Sequence, residues 1–238
     1  MNIAIFITIW TAAVGTNEVS DYIHGEPLNM LKTTASVDVV EIYTPAKGEL
    51  PAFNDSGIPA LMIEVNTDSI EKAKALVYSD EFKKLLTNRR TYPFAVDRIN
   101  VEIAEVVNYK IPGLDKQPQR KAPLSFVVRY YGPVSNQAEY VKMYTDSHPR
   151  ILSQFPGIRN VLCYLPIGWQ KPGEVTDSRM IIGNEVVFDD LPALNKALDS
   201  PVLEMVLEDG RRLAKINIGD GTHHAMDRKL VYKRTGDS

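Results

Sequence analysis

The chain has little cysteine and little histidine. One cysteine, Cys163, stands among 238 residues. A lone thiol makes no internal disulfide and rules out a Cys-rich zinc site, so a reducing, cytoplasmic setting is the simplest expectation. Four histidines, His24, His148, His223 and His224, bound any histidine chemistry. A basic excess is also missing. The 27 Lys+Arg are set against 30 Asp+Glu, a net charge of −3. That argues against nucleic acid as a partner, since nucleic-acid binders gather a basic excess on one face. No run approaches the roughly 18 to 20 apolar residues of a membrane-spanning helix. The apolar start, Met1 to Gly15, has no Lys or Arg before its apolar run, unlike a secretory signal, and reads as a core strand.

Several reactive-site patterns are missing too. There is no Gly-rich phosphate loop of P-loop or Rossmann type and no Gly-x-Ser-x-Gly elbow. There is no His-x-x-x-His or Cys-x-x-Cys metal spacing. Cys163 falls in an expected core strand, a poor place for a nucleophile.

What the chain does contain is a faint internal repeat, which decides the fold reading. At an offset of about 121 residues, Ile3–Trp10 matches Leu124–Tyr131. Both runs are β-branched and aromatic, and both predict strands. Tyr22 and Pro27 match Tyr144 and Pro149, and Val39–Pro45 matches Asn160–Pro166. Ile63-Glu-Val65 matches Asn184-Glu-Val186, and Leu76–Asp80 matches Ala197–Pro201. Ala95-Val-Asp-Arg98 returns as Ala225-Met-Asp-Arg228, which implies about nine extra residues before the last strand of the second half.

The polar, Pro-rich residues 109–123 read as a linker between repeats at 1–108 and 124–238. Each half predicts β-α-β-β-α-β, a ferredoxin-like α+β unit. Helices are expected near Thr16–Leu31 and Asp68–Leu86, after Ser135 or Asn136, and after Asp189 or Asp190. A short last strand is expected at Leu230–Tyr232. One sheet face of each unit is left without helices. Two tandem ferredoxin-like repeats can bury these faces against each other, as an intrachain dimeric α/β barrel. That arrangement does not require a homodimer and does not forbid one.

The segment Tyr140–Gly157 carries Tyr144, His148-Pro149 and then Pro156-Gly157 before a strand ending in Pro166. It resembles the EthD-like branch of the dimeric α/β-barrel superfamily, and Asp199-Ser-Pro201 before a helix fits as well. The resemblance covers most of 124–232 and, more faintly, 3–107. It implies a helix–sheet pocket and a small-molecule substrate. Superfamily members include cofactor-free isomerases, cyclases, lyases and monooxygenases, and also haem proteins. Fold alone does not choose among them. In the first half Glu26 falls opposite His148, so one working site is expected, in the second half.

Tyr140, Tyr144 and His148 are four residues apart and share a helix face. Two readings stand. His148 caps the helix and the tyrosines are core, or the stripe lines a cavity. In the second reading His148 is the general acid/base and Tyr144 holds an oxygen that gains charge. Tyr140, Tyr131, Arg129, Trp169, His223 and His224 are candidate substrate-binding residues. Strand neighbours point to opposite faces, so Tyr130 and Tyr131 part company, and at most one of His223 and His224 enters a given site. Asp97-Arg98 and Asp227-Arg228 read as ion pairs at strand starts, and Glu64 and Glu185 as scaffold.

The resulting expectation is a lyase- or isomerase-type enzyme that needs no cofactor and no metal. It would act through an enol or enolate on a small oxygenated, partly apolar or aromatic molecule. The alternatives are a haem protein with His148, His223 or His224 as axial ligand, and a non-catalytic ligand binder.

Overall fold

Ile3, Ile5, Ile7 and Ile9 alternate with Ala4, Phe6 and Thr8, and every one of these side chains is buried. A strand apolar on both faces belongs between two layers. In the computed structural model the odd positions meet helices and the even positions face the inside of a barrel. The structure describes residues 2–11, 25–53, 57–87, 96–114, 121–171, 175–216 and 219–235. The first repeat runs β1 (Ile3–Trp10), α1 (Glu26–Thr33), β2 (Val39–Pro45), β3 (Leu61–Thr67), α2 (Ile70–Tyr78), α3 (Asp80–Thr87) and β4 (Arg98–Tyr109). The second runs β5 (Leu124–Tyr131), α4 (Gln137–Leu152), β6 (Asn160–Pro166), β7 (Met180–Phe188), α5 (Leu191–Leu198), α6 (Val202–Leu213) and β8 (Gly221–Lys233).

The eight strands close antiparallel in the order β1-β3-β2-β8-β5-β7-β6-β4. Each repeat contributes a four-stranded sheet. The sheets join edge to edge, β2 to β8 and β4 to β6. The barrel of the sequence reading is therefore continuous in hydrogen bonds, and no sheet edge is left open within it. Helices cover the outside of both sheets. Among the described residues no helix is long and apolar enough to cross a membrane.

Local chemistry sets the helix starts. Asn136 caps α4 through the Glu139 amide at 3.2 Å, Ser69 caps α2 through Lys72, and Asp190 caps α5 through Ala193 at 2.8 Å. The expected helix over 68–86 is broken at Ser79 into α2 and α3. Of the one expected over 16–31, residues 16–24, with Tyr22 and His24, lie outside the described residues, and α1 runs from Glu26 to Thr33.

The end of the repeat needs correction. Ile3 pairs with Glu105, and Leu124 pairs with Asp227. The offset in the last strand is thus about 122, and Asp227 aligns with Glu105, not with Asp97. The nine extra residues do not exist as such, because β8 begins at Gly221 rather than Leu230. Arg228 is therefore not at a strand start. It is buried in mid-strand, where Nη1 donates to Glu41 at 2.5 Å and Nη2 donates to the Ala122 carbonyl. Arg98 is exposed and lies over the Trp10 ring, 4.1 Å from its centroid.

The barrel interior combines an apolar core with a buried polar cluster. Phe6, Met62, Val127, Leu162 and Met226 pack there. Beside them Glu185 accepts from Ser125 Oγ and from the Tyr164 hydroxyl, each at 2.6 Å. The Tyr43 hydroxyl donates to Glu64 and lies 3.3 Å from Glu185. Burial, and then the neighbouring Glu185 charge, hold the Glu64 carboxyl up at about 7. The repeat-matched glutamates are thus one buried cluster, on the opposite side of the sheet from His148.

Candidate active site

The candidate site lies outside the barrel, between the β5–β7 sheet and helices α4 and α6. A cavity of about 340 Å3 opens there, lined by Phe126, Val128, Tyr130, His148, Asn184 and His223, with Phe53, Phe155, Val206 and other side chains completing it. Its volume is near the lower end of small-ligand sites, roughly 300 to 1,000 Å3. The walls are mostly apolar, with a few convergent polar groups.

His148 enters from the last turns of α4 and is buried. Its Nδ1 lies 2.9 Å from Asp209 Oδ2, on α6. Arg212 donates to Asp209 through Nε at 3.0 Å and Nη2 at 2.7 Å, and Ser147 Oγ donates to it at 3.1 Å. Burial opposes ionisation of Asp209. Hydrogen bonds from His148, Arg212 and Ser147 outweigh it and hold the carboxyl down at about 2. An ionised carboxylate only accepts, so Nδ1 carries the proton. In the neutral ring Nε2 then offers its lone pair. Asp209 was not found from sequence. It lies 61 residues from His148, and only the packing of α4 on α6 joins them.

The Tyr144 ring lies beside the His148 ring, with centroids 4.6 Å apart. Asn184 Nδ2 donates to the Tyr144 hydroxyl, which in turn hydrogen-bonds that of Tyr130. Burial raises the hydroxyl pKa of both tyrosines, so both are protonated donors at neutral pH. Asn184 Oδ1 is buried and has no hydrogen-bond partner among the described residues. A buried acceptor without a donor costs free energy, and a ligand hydroxyl could satisfy it.

The predicted residues divide. His148 and His223 line this cavity, and Tyr144 and Tyr140 stand in the layer behind its wall. Tyr140 stands behind Tyr130 and Tyr144, with centroids 6.4 and 6.2 Å away. His223 lines the far end, stacked on Phe53 at 4.3 Å. Arg129, Tyr131 and His224 belong to the barrel interior instead. The Arg129 guanidinium lies over the Phe6 and Tyr164 rings, Tyr131 contacts Thr222 at 3.4 Å, and His224 lies against Trp10. The reason is strand parity. Leu124, Phe126, Val128 and Tyr130 face the helices, so Ser125, Val127, Arg129 and Tyr131 face inward. Trp169 is elsewhere again, against Tyr78 on the helix side of the first repeat.

The first repeat has no matching cavity among the described residues. In place of Val128, Tyr130, Asn184 and His223 its strands carry Ile7, Ile9, Ile63 and Val101. None is more than 1% exposed, and all belong to one aliphatic core.

Haem, which the superfamily resemblance allowed, does not fit these residues. A macrocycle on His148 would have to lie within about 340 Å3 walled by Phe126, Tyr130 and Val206. His223 is occupied by its stack with Phe53, and His224 lies inside the barrel. Among the described residues no group of three or more His, Cys, Asp or Glu is placed to hold a metal ion.

No protein-family model matches the chain, and no curated protein matches it. Solved structures do. An anthrone oxidase-like protein superposes with a TM-score of 0.66 at 13% identity, covering 100% of this chain and 94% of its own. A protein designated a candidate monooxygenase, from Lactobacillus acidophilus NCFM, gives 0.54 at 10% identity, over 96% of this chain and 95% of its own. Another so designated, from Fusobacterium nucleatum, gives 0.53 at 8% identity, over 98% of each chain. At such identities the likeness is one of fold: this chain folds as the two-repeat form of the dimeric α/β barrel.

Proposed function

We propose that the cavity beside His148 is the active site of a cofactor-independent enzyme of EthD-like type. It works by acid–base chemistry on a small oxygenated, partly apolar or aromatic molecule. The observation that carries this reading is the buried His148–Asp209 pair at the wall of an apolar cavity. A buried His–Asp pair is costly to assemble, and Arg212 and Ser147 are used to fix it in one orientation.

The chemistry follows from the atoms. Asp209 fixes the imidazole with its proton on Nδ1. Nε2 takes a proton from the carbon alpha to a carbonyl group, a proton made acidic by the carbonyl oxygen. The electron pair moves onto that oxygen, giving an enolate, and Asp209 stabilises the imidazolium formed. Tyr130, which lines the cavity and is held through Tyr144 by Asn184, is the donor for the oxygen that gains charge. Tyr144 thus acts through Tyr130 rather than on the substrate directly. Return of the proton to another atom completes an isomerisation or cyclisation. Loss of a leaving group or of carbon dioxide completes a lyase reaction. The apolar walls keep water out and strengthen both hydrogen bonds.

An oxygenase reading shares the first step. An electron-rich enolate in the same cavity can pass an electron to O2, and the radical pair can then combine to a peroxide. The likeness to three structures bearing oxidase or monooxygenase names favours keeping that branch.

The test is turnover by His148→Gln of a substrate found by screening enolisable ketones and hydroxyarenes. A fall of roughly 10²- to 10⁴-fold is expected for loss of a general acid/base. Unchanged turnover would remove His148 from the chemistry. Oxygen consumption in the same assay separates the oxygenase branch from the isomerase and lyase branches.

A further inference from the structure

The cavity belongs to the second repeat, yet one of its walls comes from the first. The segment after β2 crosses the β2–β8 seam and is fastened to the second repeat. The Ala46 amide donates to the Ala225 carbonyl at 3.0 Å, and Asn195 Nδ2 on α5 donates to the Glu49 carbonyl at 3.2 Å. Gly48 takes a positive φ of 131°, and a Cβ there would meet Leu191 Cδ2 at 2.6 Å. The positive φ, more than contact with the movable end of Leu191, calls for glycine at that position. The turn closes with the Phe53 amide on the Leu50 carbonyl at 3.1 Å. So held, Phe53 lies 4.3 Å from the His223 ring at 18°, and 5.3 Å from the Phe126 ring.

The Phe53–His223 pair borders two cavities. On one side is the 340 Å3 cavity with His148. On the other is a second cavity of about 480 Å3, lined by Gly48, Glu49, Leu50, Pro51 and Ile58. Both cavities include Phe53 and His223 in their walls. The stacked pair is thus common to the walls of both.

We infer that Phe53, donated by the first repeat, is the residue that determines substrate length in the second repeat's cavity, restricting it to compact planar ring systems. This rests on the cavity being a ligand site, as proposed above, but not on the role of His148. A flat aromatic ring stacks on the inner side of the pair, with a hydroxyl towards the open Asn184 acceptor. A longer ring system has room only if Phe53 is removed and the two spaces merge. The first repeat, whose matching positions are filled by Ile7, Ile9, Ile63 and Val101, supplies this wall.

The experiment is binding, so it can be read even if His148 is catalytically inert. Two fluorescent hydroxyarenes serve as probes, 2-naphthol with two fused rings and 2-hydroxyanthracene with three. Wild type should bind 2-naphthol better than 2-hydroxyanthracene. Phe53→Ala should reverse the order, weakening 2-naphthol and tightening 2-hydroxyanthracene by about tenfold, the scale on which pocket size discriminates. Phe53→Leu, which keeps apolar bulk, should fall between them. Gly48→Ala lies outside the inner cavity but displaces the segment that carries Phe53. It should move the preference the same way as Phe53→Ala. Equal preference in wild type and both Phe53 variants, with native thermal unfolding, would overturn the inference. So would failure of wild type to bind either probe. Loss of turnover in His148→Gln with the probe preferences intact supports it, as does full turnover with them intact, though the latter refutes the acid–base reading.

Discussion

His148 Nδ1 and Asp209 Oδ2 lie 2.9 Å apart on different helices, and both side chains are buried. The pair sits where α4 crosses α6, with Arg212 on its outer side and the cavity on its inner side. This is a base with its orienting group, and most of what can be tested about the site follows from it.

Asp209→Asn keeps the shape and removes the charge. The amide can donate to Nδ1, which would move the ring proton to Nε2 and block proton abstraction. Turnover should fall roughly 10²- to 10⁴-fold, and combining the change with His148→Gln should cost little more than either alone. Nitrogen NMR of the imidazole checks the cause without a substrate: the neutral wild-type ring should carry its proton on Nδ1. A proton on Nε2 in wild type would sink the assignment.

The Asp209 carboxyl is held at about 2 against an ordinary 3.8. Its folded-state pKa is lowered, so it contributes stability above pH 3.8 that is lost as the pH falls towards 2. The size is about 2 kcal/mol. Chemical denaturation should show wild type losing its advantage over Asp209→Asn across that window. A constant difference from pH 7 down to pH 2 would contradict the linkage.

Glu64 behaves in the opposite sense. Burial, followed by Glu185, raises it from 4.5 to about 7. The folded protein then holds a proton that the unfolded chain gives up, so stability falls as pH rises from about 4.5 to 7. Glu64→Gln should remove this slope and unfold at higher denaturant than wild type at pH 8, by up to about 3 kcal/mol. A wild-type slope that persists in the variant would place the proton elsewhere in the Tyr43–Glu64–Glu185 cluster.

Hemin added to the purified protein should leave its Soret spectrum that of free hemin, because the cavity beside His148 is too small for the macrocycle. A shifted Soret band that His148→Gln abolishes would mean that α6 moves away from α4 to admit it. The haem reading would then displace the acid–base one.

The tandem fold was legible because it rests on local patterns. Ile3–Trp10 and Leu124–Tyr131 carry alternation, Asn136 and Asp190 carry caps, and their repetition at a near-constant offset shows two units. The site was legible in part, since the spacing of Tyr140, Tyr144 and His148 is itself helical geometry. The rest was not. Period-two alternation separates Tyr130 from Tyr131 but does not say which faces the helices, and so it leaves open that Tyr131, Arg129 and His224 lie on the barrel side, away from His148. The match of Asp97-Arg98 to Asp227-Arg228 was a coincidence of letters that strand register overrules.

By itself the sequence determined the order of strands and helices, their duplication and the histidine-bearing helix face, though not every element's bounds. Each depends on spacing along one chain, which propensity and periodicity record. The tertiary structure alone decided that Asp209 meets His148, that Asn184 and Tyr130 line the cavity, and that Phe53 closes it from the other repeat. These are contacts between residues distant in the chain. Closure of the barrel and the packing of helices on it set them, and no local pattern carries that information.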